Sequence, residues 1–251
     1  IPYVTSYYKK NWGFCLSEND LKKLPNGDYK VFIDSVLRKG TMELMHANFK
    51  GKSNKEIFFS SYICHPSMAN NELSGPVLLN AIMLYLKSNY KKTKYSYRFV
   101  LLPETIGSIA YISKYKRILK KNIIAGYNLT CVGDERNYTI INTPSGQTLA
   151  DKALESALFG KKNLKKYSYL LRGSDERQYC SPGVDLPVCC FSRSHDKDFP
   201  EYHTDKDNFK LVTQKGLSDS FDVIKDLIDA FELGIYPKTL ITCEPNLGKR
   251  N

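Results

Sequence analysis

Short runs rich in β-branched and aromatic residues alternate along the chain with longer segments in which apolar residues recur every three or four positions. The first pattern predicts β-strands, and the second predicts helices with one buried face. Their alternation indicates strands of one sheet joined by crossing helices, which is the α/β class of fold. The predicted strands cover residues 29–35, 41–48, 56–64, 97–102, 126–132 and 186–192.

The spacing of apolar residues also predicts four helices, over residues 73–86, 107–119, 148–159 and 217–231. The strands predicted at 56–64 and 97–102 are nearly continuous apolar runs, which is typical of strands covered on both faces. We therefore expect these two strands in the interior of the sheet.

The length of 251 residues is typical of a single α/β domain. The first fifty residues are less regular, and the Pro-Asn-Gly-Asp sequence at 25–28 predicts a turn between extended segments. We expect an extended, β-rich segment over residues 1–50, the tail of a truncated or inserted subdomain, and an α/β domain over residues 51–251. Because the chain opens on Ile1, we expect the biological start to lie upstream.

Composition narrows the classes of partner. No apolar run approaches the ~20 residues of a membrane-spanning helix, so no membrane partner is expected. Lys and Arg exceed Asp and Glu by 37 to 26, but the lysines are scattered and no binding motif accompanies them, so nucleic acid is not an expected partner. Seven cysteines, an odd number in a chain of this size, favour reduced thiols and a cytoplasmic location. Homo-oligomer formation stays open.

Polar residues follow three of the predicted strands. His65 follows the strand at 56–64, Glu104 follows the strand at 97–102, and the loop leading to His203 follows the strand at 186–192. In open α/β sheets the ligand crevice forms outside the carboxyl ends of the strands. These loops are therefore the predicted functional site.

Two of the four histidines in the chain, His65 and His203, lie in these loops beside acidic or amide groups. A catalytic zinc ion takes about three imidazole or carboxylate ligands and keeps one position open for water. The two histidines and an amide or carboxylate from residues 70–72 fit that requirement. Glu104 is the candidate general base.

Structural alternatives stay open for these residues. His65 equally fits a hydrogen-bonded structural histidine, and Glu104 equally fits an acidic group at the start of the helix predicted from residue 107. His195 lies among charged residues, which favours a solvated loop. His46 lies in a predicted strand, which favours a structural role.

Two further features bear on the site. Residues 173–178 form either an exposed turn or a loop folded into the crevice, and composition does not choose between them. A cysteine hydrolase built on Cys64 and His65 is disfavoured, because adjacent residues in a strand point to opposite faces.

Several segments together resemble a bacterial aminopeptidase-like family, of the DUF4910 type, that is related to zinc leucyl aminopeptidases and often occurs with surface-polysaccharide genes. The segments are PYVTSYYKKNWGFCLS, ICHPSMANNELSG, YRFVLLPETIGSIAYIS, LTCVGD, RGSDERQYCSPGVDLPV and PEYHTDKDN. They extend over nearly the whole chain, which is more specific than any single motif. The resemblance implies a zinc-exopeptidase-like α/β fold with a mostly parallel or mixed central sheet flanked by helices on both faces.

The resemblance also implies a hydrolytic centre with zinc as the cofactor. His65, Asn71 and His203 would be ligands, and Glu104 would be the general base. The implied substrate is a small peptide, an aminoacyl compound or an N-acyl sugar. The residues expected to contact it are Arg177, Glu72 and Tyr202.

The chain departs from this family pattern at three positions. Asn71 replaces an Asp that bridges two zinc ions in related aminopeptidases, Thr105 replaces a second acidic residue, and Thr130 lies where a later Asp ligand is expected. A neutral amide is a poorer ligand for a divalent cation than a carboxylate, so one ion is predicted rather than two. Glu72 or Asp175 is expected to compensate, and Asp175 is included among the predicted metal ligands. The alternative is a catalytically inactive homologue that binds a sugar or peptide.

Overall fold

The computed structural model describes residues 11–36, 38–171, 173–234, 243 and 248. The start of the chain, including the beginning of the first segment that carries the family resemblance, lies outside these residues. Seven strands in the described part form one sheet with the order β1-β3-β2-β4-β7-β5-β6. The strands are β1 (Met45–Phe49), β2 (Glu56–Tyr62), β3 (Ser96–Leu102), β4 (Ile123–Leu129), β5 (Tyr138–Ile141), β6 (Leu164–Tyr167) and β7 (Val188–Ser192).

The sheet is mixed, as the sequence predicted. Strands β3, β2, β4 and β7 run parallel to one another, whereas β1 is antiparallel to β3 and β5 is antiparallel to β7. Because parallel strands end at the same edge, the carboxyl ends of the four central strands form one crevice.

Helices cover both faces of the sheet. The described helices are α1 (Glu18–Lys23), α2 (Ser74–Asn89), α3 (Ile106–Asn122), α4 (Leu149–Ala157), α5 (Glu176–Tyr179) and α6 (Gln214–Leu233), of which α1 has no buried residue and is not part of this cover. Strand β2 is buried along its whole length, and its adjacent residues Phe58 and Phe59 point into opposite cores. Phe59 packs with residues of α2, α4 and α6, and Phe58 packs with residues of α3 and α5. The two apolar cores explain why β2 and β3 read as continuous apolar runs.

Gly75 allows α2 to approach the sheet closely. A Cβ atom at this position would lie 2.2 Å from Ser61 Oγ and 2.5 Å from the carbonyl oxygen of Leu129. The preceding helix residue, Ser74, accepts a hydrogen bond from the backbone N–H of Val132 over 3.0 Å. A glycine is required here because any side chain would push α2, and the turn before it, away from the end of β4.

The N-terminal segment differs from its prediction. The strand predicted at 29–35 is wrong: these residues are all described and form no strand, and Phe32 is 88% exposed. β-Propensity reflects how well a residue fits a pleated, half-buried surface, which this run lacks. The strand predicted at 41–48 begins at Met45, and it joins the main sheet beside β3. The division at residue 50 stays a prediction.

None of the helices in the described residues is both long enough and apolar enough to cross a bilayer.

Candidate metal centre

The backbone is unusual at the carboxyl end of the sheet. Six non-glycine residues in the described part have a positive φ, and four of them lie in the loops around the crevice, with φ between 51° and 65°. Left-handed or otherwise strained backbone is held in place only when the surroundings enforce it, and it clusters at functional sites. The four residues are Ser67, Thr105, Cys131 and His203.

The structure brings the two predicted histidine ligands into contact. The ring centroids of His65 and His203 are 4.3 Å apart. Glu72 Oε1 lies 3.1 Å from His65 Nδ1, and Glu72 Oε2 accepts a hydrogen bond of 2.6 Å from the backbone N–H of Cys64. Tyr202 stacks on His203 with centroids 3.9 Å apart and so fixes the plane of that ring. The His203 ring and the Glu72 carboxylate therefore both contact His65, and imidazole and carboxylate groups are donors suited to zinc.

Glu72 has an electrostatic reason to receive a cation. Its side chain is only 4% exposed, and burial raises the pKa of this carboxyl above its ordinary value. Burying a carboxylate without a compensating charge is costly. A divalent ion beside Glu72 would remove that cost, so the residues present fit a metal.

Asn71 is buried, and its side-chain amide hydrogen-bonds to the protein through Nδ2. Its Nδ2 donates to the Tyr62 hydroxyl over 2.9 Å, and that hydroxyl lies 2.5 Å from Thr130 Oγ1. Among the described residues, none donates a hydrogen bond to the buried Asn71 Oδ1. Such an orphaned acceptor is rare in folded proteins, and a cation would satisfy it.

Asp207 ties the loop of His203 to the turn that carries Asn71 and Glu72. Its carboxylate accepts hydrogen bonds from the backbone N–H groups of Asn70, over 2.6 Å, and of Asn71, over 3.0 Å. This turn is a π-helical segment, Ala69–Leu73, directly before α2. A shift of either loop would break both charge-assisted bonds, so Asp207 positions the donor set.

Glu104 and Asp175 occupy the neighbouring side of the crevice. Glu104 is half-buried, and its Oε1 accepts a hydrogen bond of 2.5 Å from Ser174 Oγ. Asp175 Oδ1 accepts hydrogen bonds from the backbone N–H of Thr105, over 2.7 Å, and from Ser108 Oγ, over 2.8 Å. Thus Asp175 holds the strained start of α3, directly after Glu104. Of the two interpretations of residues 173–178, the crevice loop is correct for Ser174 and Asp175, which are buried.

The ionisation of Asp175 leads to a prediction for the metal-free chain. Burial, and secondarily the Glu104 charge, raises the pKa of Asp175 from 3.8 to about 7. Between about pH 4 and pH 7 the folded chain therefore keeps a proton that the unfolded chain has released, and the free energy of unfolding falls as the pH rises. An Asp175→Asn variant keeps an acceptor but does not ionise. We expect it to match the parent below about pH 4 and to exceed its stability above pH 7 by up to roughly 4 kcal/mol.

This prediction is checked by urea unfolding of both proteins in chelator at a series of pH values. The difference between them isolates Asp175 from the other titrating groups. A stability difference that does not change with pH would contradict the assignment.

Cys64 lies between the two halves of the crevice. Partial burial raises the pKa of its thiol to about 12, and the charges of Glu104 and Glu72 add to the shift. The thiol stays protonated near neutral pH in the metal-free chain, which argues against a cysteine nucleophile. The strand alternation that separated Cys64 from His65 does not apply, because β2 ends at Tyr62.

Arg177 and the other two histidines contact tyrosine rings. The Arg177 guanidinium lies over the Tyr169 ring, 4.8 Å from its centroid. His46 contacts the edges of two tyrosine rings on the α3 side of the sheet, which fits the structural role expected for it. The solvated environment predicted for His195 is wrong: it is 1% exposed, its Nδ1 lies 2.6 Å from Asp196 Oδ1, and its ring packs on Tyr167 at 4.4 Å.

Two contributors to the site were missed in the sequence. Asp207 lies four residues after His203 within PEYHTDKDN, and this spacing was the available signal. Tyr62 ends an apolar strand, where nothing in the sequence distinguishes it from a core residue.

Comparison with known proteins decides the family. The family described as a domain of unknown function, DUF4910, matches residues 12–234. The chain belongs to the DUF4910 family. This DUF4910 chain is 42% identical over 256 residues to a Clostridium acetobutylicum protein whose name provisionally assigns it to polysaccharide biosynthesis and gives it an aminopeptidase-like domain. The match covers 100% of this chain and 57% of that protein.

Comparison with solved structures supports the family assignment. A crystal structure from Clostridium acetobutylicum, provisionally named a peptidase, matches with a TM-score of 0.88 and 41% identity, covering 100% of this chain and 59% of that one. The DUF4910 chain therefore spans less than two thirds of the length of these relatives. A zinc aminopeptidase from Bacillus subtilis matches with a TM-score of 0.64 and 19% identity, over 77% of this chain and 51% of that one. A glutaminyl cyclase from an Acidobacteriales bacterium matches with a TM-score of 0.62 and 16% identity, over 76% and 74%. The last two show the fold alone, which the chain shares with this zinc aminopeptidase and with this glutaminyl cyclase.

Proposed function

We propose that this domain is a metal-dependent hydrolase of amide or peptide bonds that uses one zinc ion. The observation that carries the proposal is the contact of the His65 and His203 rings, 4.3 Å apart, with the Glu72 carboxylate on His65. Two neutral imidazoles and a carboxylate are the ligand set of many catalytic zinc sites. Glu72 thus takes the role of the carboxylate that the family pattern provides at the position of Asn71.

The surroundings support one ion rather than two. A second ion would need further carboxylates, but Thr105 and Thr130 replace two of them, and Asn71 is a neutral amide. The polar groups of Asn71, Tyr62 and Thr130 instead hydrogen-bond to one another. Asn71 Oδ1 remains available as a weak additional ligand, whereas the bonds of Asp175 favour a positioning role over direct coordination.

Each protein group around the ion would have a separate role in the reaction. When bound, zinc supplies a Lewis acid that polarises the amide carbonyl and lowers the pKa of a water molecule. Glu104 accepts the proton of that water and returns it to the leaving amine. Ser174 orients the Glu104 carboxylate through its 2.5 Å hydrogen bond, and Asp175 holds the backbone at Thr105.

The proposed substrate class is inferred from similar proteins rather than from contacts in the crevice. Zinc aminopeptidases share the fold, which supports a peptide or aminoacyl substrate, and the polysaccharide role in the name of the Clostridium acetobutylicum relative supports an N-acyl sugar. Tyr202 and Arg177 are the proposed substrate contacts, and the cytoplasm is the proposed location. Any activity of the longer relatives is attributed to this chain only as part of this proposal.

A second candidate function has a specific observation in its favour. Asn71, Thr105 and Thr130 replace three acidic residues of related aminopeptidases. A crevice that has lost those ligands is suited to holding a sugar or peptide without cleaving it. Zinc content and turnover distinguish this binding module from the hydrolase.

The test uses protein purified without chelators and analysed for metal by mass spectrometry. The hydrolase predicts one zinc per chain and zinc-dependent release of amine from a panel of aminoacyl, dipeptide and N-acetylated sugar substrates. If the reconstituted protein holds no zinc but still binds a sugar or peptide, the hydrolase proposal is rejected in favour of the binding module.

A further inference from the structure

One group of donor atoms at the site is not used by the proposed function. Among the described residues, Cys64, His65 and Glu72 form a cluster in which one ligand atom of each lies within 4.8 Å of the others. The His65 ring in turn contacts the His203 ring. The crevice therefore offers a sulfur in addition to two imidazoles and a carboxylate.

Local backbone geometry brings the thiol into this cluster. Strand β2 ends at Tyr62, so the chain no longer alternates when it reaches Cys64 and His65. The backbone N–H of Cys64 donates to Glu72 Oε2 over 2.6 Å, while His65 Nδ1 lies 3.1 Å from Glu72 Oε1. One carboxylate thus holds both consecutive residues.

We propose that Cys64 Sγ is a fourth ligand of the same ion, which completes the set Cys64, His65, Glu72 and His203. This inference rests on the proposed function and specifies the resting state of its site. On binding, the S–H bond would break with release of the proton to solvent, and a sulfur lone pair would form the bond to the metal. No electron is transferred.

Two consequences follow from a thiolate ligand. A soft sulfur donor favours zinc over manganese and magnesium, which prefer oxygen ligands. Four protein ligands also leave no position for water, as in structural zinc sites, so the resting site is closed and substrate or water must displace the sulfur.

The test replaces zinc by cobalt(II) and measures absorption spectra of the parent, Cys64→Ser and Cys180→Ser proteins. Cys180 is a matched control, because its sulfur contacts the carbonyl oxygens of Leu186 and Val188 and not the crevice. We expect a near-ultraviolet thiolate-to-cobalt charge-transfer band in the parent and in Cys180→Ser, and no such band in Cys64→Ser. Zinc affinity of Cys64→Ser should fall at least about tenfold, the smallest loss typical when even a supporting group is removed.

A second measurement does not depend on the folding of the variant. At an alkaline pH where the metal-free chain is alkylated at Cys64, bound zinc should protect this thiol of the parent from iodoacetamide, as followed by peptide mass spectrometry with and without metal. Stoichiometric cobalt without the charge-transfer band, or equal alkylation with and without zinc, would overturn the sulfur ligand and leave the metal site standing. Absence of any bound cobalt or zinc in the parent would overturn the proposed function together with this inference.

Discussion

Replacing His203 with asparagine is expected to weaken zinc binding by more than about a hundredfold, since loss of a direct ligand exceeds the loss typical of supporting groups. Asparagine is chosen because its short polar side chain tolerates the left-handed backbone at residue 203, where φ is 57°. The variant therefore removes the imidazole without straining the loop. Zinc content after dialysis, measured by mass spectrometry of the metal, checks the prediction.

The matched control is His46→Asn. His46 lies on β1, where its ring contacts Tyr111 and Tyr115, so its removal should leave the zinc content unchanged. Circular dichroism of both variants verifies that the fold persists. Equal zinc content in His203→Asn and the parent would show that the imidazole pair does not hold the ion.

The Glu104→Gln variant is expected to lose about 10²–10⁴-fold in turnover, the usual contribution of a positioned general base. The amide still accepts the hydrogen bond from Ser174 Oγ but does not accept the proton of the attacking water. Because Glu104 is not in the proposed ligand set, the zinc content should match that of the parent. Turnover with the best substrate of the panel and zinc content are measured on the same preparation.

A paired result makes this test specific. Loss of turnover with full zinc content supports a general base, whereas loss of both would assign Glu104 to the metal site instead. Undiminished turnover in Glu104→Gln would remove the proposed mechanism.

The central strands could be predicted because each is buried on both faces. The run containing Phe58 and Phe59 must fill two apolar cores, and such a demand leaves an unbroken apolar signature. Strands β5 and β6 lacked this signature. Each has four residues, and β6, with the sequence LKKY, lies at the edge of the sheet and is partly exposed. In the sequence, the lysines of β6 are typical of a solvated surface.

Part of the site was predictable from the positions of residues directly after the predicted strands. His65 and Glu104 follow parallel strands, so the topology of the sheet brings them to the same edge. Glu72 was expected, from the family resemblance, only as a compensating ligand or a substrate contact, because its position beside His65 depends on a π-helical turn and on the close approach that Gly75 permits. The burial of His195 likewise depends on packing against Tyr167, a residue of the unpredicted strand β6.

The central claim is that His65 and His203 share one zinc ion with Glu72. Anomalous X-ray diffraction above and below the zinc absorption edge, from crystals grown with zinc, locates the ion without reference to activity. We predict one peak within bonding distance of both imidazoles and of the Glu72 carboxylate. A peak elsewhere, or an imidazole pair with no peak between the rings at saturating zinc, would contradict the account.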